Sequence, residues 1–282
     1  MVAQIETHYK VAFADKMRLA AQQTTTELQR TCINEMLEGE KTFFDGYGQV
    51  AVGERLTRNA MNSYKEMPRE RRMISPRFFD YPELFDQRDR GRTLRALEPD
   101  GLFMEAVIGA FNRKKDNVIF EAFTASAYSD KSGSTPVEFD TDQDVAHNSE
   151  SFLTTDKLRA GRKILRANNV KGKLFGAGHP DQLDDLLGQT AVTNADYSHV
   201  KALADGDITS FMGIDFVWTT EITDGNFYLY SPDAMIFGHE GDIDVNFDVQ
   251  SERGHALQLA VYATFAATRY YENKIVRIDC AV

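Results

Sequence analysis

Residues 41–92 contain no continuous apolar stripe, and this excludes folding the whole chain around one uninterrupted core. Two extended limbs, FFDGYGQVAV (43–52) and RMISPRFFDYPELF (72–85), flank the more helix-like NAMNSYKEM (59–67), with glycine, proline and arginine frequent throughout. Compact domains seldom hold about fifty residues with so little to bury. The segment predicts a long hairpin that projects from the body and finds its burial elsewhere. GYGQVAVG (46–53) lacks the spacing of a dinucleotide loop and no βαβ unit follows it, so it reads as a glycine-softened strand.

Periodicity is stronger on either side. A helix is predicted from about Leu97 to Ala127, with Pro99 in its opening turn. Met104, Ile108, Phe111, Ile119, Ala122 and Phe123 share one face, which Arg113, Lys114 and Asp116 interrupt. A second helix begins at Thr154 or Thr155, places Leu158, Gly161 and Leu165 together, and stops at Asn168, Asn169 and Gly172. KLFGAG (173–178) reads as a strand and PDQLDDLLG (180–188) as a short helix. Asn194 caps a further helix carrying Tyr197, Val200, Leu203 and Ala204, which Asp205-Gly206 terminates.

Beyond that point strands dominate. Ile214, Phe216 and Trp218 alternate with Asp215, Val217 and Thr219, the period of a strand with one buried face. ITDGNFYLY (222–230) contains an Asp-Gly hairpin signal, and Ile243, Val245, Phe247 and Val249 alternate through DIDVNFDVQ (242–250). LQLAVYATFAATRYY (257–271) fits strand or helix, and KIVRID (274–279) is a closing strand. Residues 1–40 are polar, with QQTTTE at 22–27, and predict a partly helical arm. Helices first and strands after them argue for an α+β fold with antiparallel sheets.

The 282 residues suffice to bury a sizeable core without disulfide support. Cys32 and Cys280, near opposite ends, read as two free thiols in a reducing compartment. No run of eighteen apolar residues occurs, and charge interrupts every apolar run near the N-terminus, so neither a signal peptide nor a membrane span is expected. The formal charge of -11 opposes simple binding to a phosphate backbone. Yet residues 65–95 hold nine basic and six acidic side chains, a local +3 that leaves about -14 on the rest. Among the basic residues are Arg69, Arg71, Arg72, Arg77, Arg88, Arg90 and Arg92. Tyr64, Phe78, Phe79 and Tyr81 lie among them as stacking groups for nucleic acid, but arginine forks paired with carboxylates of a neighbouring copy suit the composition better.

Sites for chemistry are sparse. The chain has no P-loop, G-x-S-x-G, H-E-x-x-H or C-x-x-C. DTDQDVAHNSES (140–151) sets Asp140, Asp142 and Asp144 at the first, third and fifth positions of a calcium loop. It has Val145 where the turn glycine belongs and Ser151 where the bidentate glutamate belongs. HEGDID (239–244) brings His239, Glu240, Asp242 and Asp244 close in sequence, a candidate metal cluster that reads more simply as the solvent face of a strand. His8, His147, His179, His199 and His255 stand singly, with no nucleophile or orienting carboxylate beside them. No catalytic residue, cofactor or metal is expected.

LTTDKLRAGRKILRANNV, then KLFGAGHPDQLDDLLG, then NADYSHVKALADGDITSFMGIDFVWTTEI and a strand-rich ending through KIVRIDC form an order that resembles one family. The chain resembles the major capsid proteins of tailed bacteriophages, with the Hong Kong 97 type fold that cellular encapsulin shells share. The resemblance implies an N-terminal arm (1–40), an extended loop (41–92) lying across a neighbouring subunit, and a peripheral domain with a long spine helix (93–151). It further implies an axial domain (152–240) and return strands completing the peripheral domain (241–282). The implied function is structural and non-enzymatic: self-assembly as pentamers and hexamers into an icosahedral virion shell enclosing double-stranded DNA, assembled in the host cytoplasm without membrane or cofactor. Implied partners are further copies of the chain, a separate scaffolding protein, a portal and a decoration protein. An encapsulin-like compartment is the alternative, and a small metal-dependent enzyme using the acids near His239 a more distant one. Some members of the family join Lys to Asn covalently. Lys65 lies in the projecting loop, but no local motif marks an acceptor, and the crosslink is not carried over.

Overall fold

A computed structural model describes residues 23, 25–54, 61, 64–85, 102–146, 152–189, 208–222, 225–253 and 255–280. After β1 (Ile33–Met36), the expected hairpin forms from β2 (Thr42–Tyr47) and β3 (Arg69–Ile74), paired antiparallel from Thr42 opposite Ile74 to Tyr47 opposite Arg69. Its second limb is not continuous, however. At Ser75-Pro76 the chain leaves the hairpin, because proline has no N–H to extend the ladder, and β4 (Arg77–Phe85) runs into a different sheet. Residues 64–67 of the segment expected to be helix-like are irregular, and most of 55–63 lies outside the described residues.

The long helix, α1 (Leu102–Thr124), has 23 residues and a length of about 35 Å. The expected start near Leu97 lies outside the described residues. The helix stops before Ala127, which opens β5 (Ala127–Ser129) and is followed by β6 (Thr135–Val137) and β7 (Asp144–Val145). Met104, Phe111, Ile119, Ala122 and Phe123 are buried as expected, whereas Ile108 is exposed because no described segment covers that part of the face. Asp116 does not interrupt the core in the way its charge suggests. Its carboxylate accepts the backbone N–H groups of Glu27 (2.9 Å) and Leu28 (3.1 Å) and the side-chain amide of Gln23. The polar residue sits on the buried face because the arm runs over it, inserting Leu28 and Cys32 into the same core.

The next elements follow their local signals closely. α2 (Thr155–Ala167) is capped by the Thr154 hydroxyl and ends at Asn168. β8 (Leu174–Gly178) leads through the His179 capping box into α3 (Pro180–Leu187). The helix expected from Asn194 lies outside the described residues. Then come β9 (Ser210–Phe211), β10 (Ile214–Trp218), β11 (Asn226–Tyr230), β12 (Met235–His239), β13 (Asp244–Gln250), β14 (Ala256–Arg269) and β15 (Ile275–Asp279).

Three sheets result. The first is ordered β1-β12-β14-β13, with β4 on the opposite edge of β14; the second is β7-β15-β11-β8-β10-β9; the third is β2-β3-β5-β6. The expectation of purely antiparallel sheets is corrected, since β1/β12, β8/β10 and β7/β15 pair parallel. The Asp-Gly signal at 224–225, of which Asp224 lies outside the described residues, joins no hairpin: β10 and β11 lie on either side of β8. Residues 241–282 do not stay together either. β13 and β14 belong to the first sheet, while β15 joins β11 and β7 in the second.

The second sheet is covered on both faces. Ile214, Phe216, Phe227, Leu229 and Ile278 face α2 and α3, while Val217, Tyr228, Tyr230 and Ile275 face the core shared with α1 and β14. Hence β10 buries both of its faces, and the single buried face expected from alternation is corrected. Close approach explains the glycines of KLFGAG: a Cβ at Gly176 would lie 2.6 Å from the Phe227 ring.

Candidate inter-subunit surfaces

Strand parity decides what each arginine of the hairpin can reach. Arg71 sits opposite Asp45 and donates through Nε (2.5 Å) and Nη2 (2.8 Å) to its carboxylate. That hydrogen bonding, more than charge alone, holds the Asp45 carboxyl below its ordinary value. Arg69 points the same way and is exposed. Arg72 points into the body and is buried, with Nη2 3.5 Å from Glu272 and Nη1 donating to the Arg71 carbonyl. Its side chain thus belongs to the packing of this subunit. Arg77 pairs with Glu121 of α1 at 2.8 Å. Arg88, Arg90 and Arg92 lie outside the described residues.

The hairpin is anchored at its base and bare toward its tip. Met73 and Ile74 are buried, and Gly46 lets Tyr270 approach so closely that a Cβ would lie 2.5 Å from the phenol oxygen. Lys65 donates across the hairpin to the Ala51 carbonyl at 3.2 Å. Yet Val52 and Met61 are each 97% exposed and Tyr64 93%, with Tyr47, Val50 and Met67 also more than half exposed. Isolated exposed apolar residues are ordinary, but a run of them on one projecting element marks a contact surface.

A second apolar surface lies on the first sheet. Phe78, Phe79, Tyr81, Ala110, Phe111 and Lys114 line a groove between β4 and α1. On the far edge of the same sheet, Phe247 and Val249 of β13 are exposed, although both alternate with polar neighbours as the sequence suggested.

The site that sequence reading missed is polar and internal. Arg269, at the end of β14, is fully buried and donates to the carbonyls of Phe123 (3.0 Å), Ala125 and Val137 (3.0 Å) and to Glu272 (2.6 Å). It thereby caps the C-terminus of α1 and ties it to β6. Glu272 in turn reaches Arg72, so one carboxylate joins the base of the hairpin to the long helix. Burial pushes the Glu272 carboxyl up, and Arg269 and Arg72 hold it back. An arginine closing an otherwise apolar strand was the available signal in the sequence.

The expected chemical candidates are engaged otherwise. Asp140 caps the 3-10 turn at Asp142 (3.0 Å), and Asp144 makes a two-point pair with Arg277 at 2.9 and 2.6 Å, so the three aspartates do not converge on a common point. Among the described residues, no three His, Cys, Asp or Glu side chains are placed to hold a metal ion, those around His239 included. His179 accepts from the Asp181 N–H as a helix cap, and His255 adopts a left-handed turn conformation. His8, His147 and His199 lie outside the described residues. Both cysteines are buried and neither is in a disulfide, and burial pushes the Cys32 thiol up to about 12, which leaves it unreactive.

A long helix on one side of a six-stranded sheet, two short helices on the other side and a projecting hairpin make up the fold of the described residues. The chain is similar to the capsid protein of the cyanophage P-SCSP1u, with a TM-score of 0.72 and 11% identity, covering 97% of this chain and 93% of that one. It is similar to the capsid of a native GTA particle (TM-score 0.71, 13% identity, 99% and 98% covered) and to Mycobacterium phage Che8 (0.67, 13%, 94% and 95%). At these identities the likeness defines the fold, which is the Hong Kong 97 type of capsid protein. None of the curated proteins matches the chain. Residues 5–282 match the phage capsid protein family, and the chain belongs to it. It is a structural protein of a bacteriophage capsid, located in the virion as part of a multimeric shell.

Proposed function

We propose that this chain is the major subunit of an icosahedral shell, assembling as pentamers and hexamers around double-stranded DNA and carrying no catalytic activity. The observation that supports this reading best is the hairpin, whose apolar tip has no cover among the described residues while its base is locked to the body. Such an element gains stability by lying on a neighbour, and many copies of a modest contact close a shell.

In this reading residues 1–40 are an arm and 41–92 an extended loop, here limited to a hairpin ending at Ile74. Residues 93–151 with β4, β12, β13 and β14 make a peripheral domain around α1, and the rest of 152–240 with β15 makes an axial domain. Arg69, Arg88, Arg90 and Arg92 are the basic residues assigned to neighbouring subunits, joined by Arg71 and Arg77 where their local pairs stay accessible. Assembly takes place in the host cytoplasm with a separate scaffolding protein, a portal and a decoration protein as partners.

Electron microscopy of the purified protein, expressed alone and with the neighbouring virion genes, tests the reading. Shells with pentameric and hexameric capsomers are expected. A protein that stays monomeric at high concentration in both preparations refutes it.

A further inference from the structure

α2 carries Arg159, Arg162, Lys163 and Arg166 at i, i+3, i+4 and i+7, which places them along one side of the helix. The other side is committed to the core: Leu158 and Leu165 are buried, and Gly161 lies against Ile278, Leu229 and Val276. The four cations line a single groove whose remaining walls include Ala160 and Met212. Among the described residues only Arg159 of the four has an ion pair, with Asp156 at 2.8 Å, and both members are exposed. Arg162, Lys163 and Arg166 have no carboxylate partner among the described residues. In a chain of net charge -11 this is, among the described residues, a concentrated positive surface with the single carboxylate of Asp156 on its wall.

The opposite sign lies on the next helix. α3 packs on the same side of the second sheet and exposes Asp181 and Asp184, one turn apart. Asp184 has no ion pair among the described residues, and Asp181 meets only the imidazole of His179. The unpaired cations and these acids do not meet within one subunit. Asp185 accepts the Leu153 N–H and Gln189 the Thr155 N–H, which hold α3 against the N-terminal end of α2. Arg162, Lys163 and Arg166 lie about 10 to 16 Å farther along that helix, beyond the reach of about 4 Å that an ion pair allows.

We infer that the basic groove on α2 receives the acidic face of α3 from a second copy of this chain, so that adjacent subunits of a ring dock head to tail. The inference rests on the shell reading above and names a contact within it. Two different patches on one protomer form a heterologous interface, which closes into rings when the rotation per subunit allows. Met212 and Ala160 give the groove apolar walls suited to the side of a short helix more than to a sugar-phosphate backbone. Exposed ion pairs are individually weak and screened by salt, so the contact is reversible and able to correct its register during assembly.

A charge-swap series tests it. One variant carries Lys163→Glu and Arg166→Glu, a second carries Asp184→Lys and Asp181→Asn, and a third combines all four. Assembly is followed by mass photometry and electron microscopy over a range of protein and salt concentrations, with thermal unfolding as a check on folding. Each single-face variant is expected to raise the concentration for half-assembly by about tenfold or more, and the combined variant to return within about threefold of wild type. Lys163→Gln with Arg166→Gln keeps good helix formers while removing charge, and an intermediate shift is expected. The inference is overturned by single-face or Gln variants that assemble like wild type, or by a combined variant no better than its parents. Intact shells that lose only nucleic acid overturn it too, since they assign the groove to DNA. Wild-type protein that forms no shell overturns the capsid reading together with this one, whereas normal wild-type shells beside unaffected variants overturn this one alone.

Discussion

Replacing Arg269 by methionine removes a buried cation of similar length and leaves four acceptors without their donor. Three are carbonyls, those of Phe123, Ala125 and Val137, and the fourth is the Glu272 carboxylate, which keeps only Arg72 at 3.5 Å. Breaking a buried ion pair from one side costs about 3 to 5 kcal/mol. At about 2 to 4 °C per kcal/mol for a chain of this size, the melting temperature should fall by about 6 to 20 °C. Arg269→Lys keeps the charge but not the fork, and should fall between the two. The loss also depends on pH. Glu272 already sits above its ordinary value of 4.5 because of burial, and without Arg269 it rises further. A carboxyl raised in the folded state favours folding at low pH and subtracts from stability as pH rises through its folded value. The penalty of Arg269→Met should therefore be larger at pH 7 than at pH 5, each unit of added shift contributing about 1.4 kcal/mol. Thermal unfolding at the two pH values checks this. A variant melting within about 2 °C of wild type, or losing equally at both pH values, refutes the proposed role of the cluster.

Asp116→Ala removes the acceptor for two backbone N–H groups of the arm and should cost about 2 to 5 kcal/mol, seen as early hydrogen exchange or proteolysis within residues 23–32 while α1 stays protected. Gly176→Ala forces a methyl toward the Phe227 ring and should destabilise by about 1 to 3 kcal/mol in equilibrium unfolding. Arg71→Ala and Arg72→Ala should part ways: the first, losing an exposed pair with Asp45, leaves thermal unfolding unchanged, while the second lowers the melting temperature because its side chain is buried beside Glu272.

Local chemistry and tertiary context contributed to different parts of this molecule. α2 and α3 were legible because their stops and starts are short-range events. The Thr154 hydroxyl caps one, Pro180 opens the other, and Asn168 and Gly188 end them. The hairpin was legible as a deficit, since a segment without a stripe has no core of its own to join. The segment 257–271 was not legible, because its apolar residues suit either period. It is a strand since β12 and β13, the strands just before it, pair one edge of it and β4, about 170 residues earlier, pairs the other.

The same limit applied to the surfaces. Composition marked residues 65–95 as basic, but Arg71 and Arg72 differ by one position and face opposite sides of β3, so one pairs at the surface and the other is buried. The insertion of β8 between β10 and β11 turned an expected hairpin into neighbours of a third strand. The sequence by itself determined the ends of α2 and α3, the α+β class, the projecting loop and the resemblance to phage capsid proteins, because caps, periods and segment order are written within a few residues of where they act. Only the tertiary structure decided strand order, the burial of Arg269 and Asp116 and the placement of opposite charges on α2 and α3, because pairing and desolvation depend on which distant segment arrives alongside.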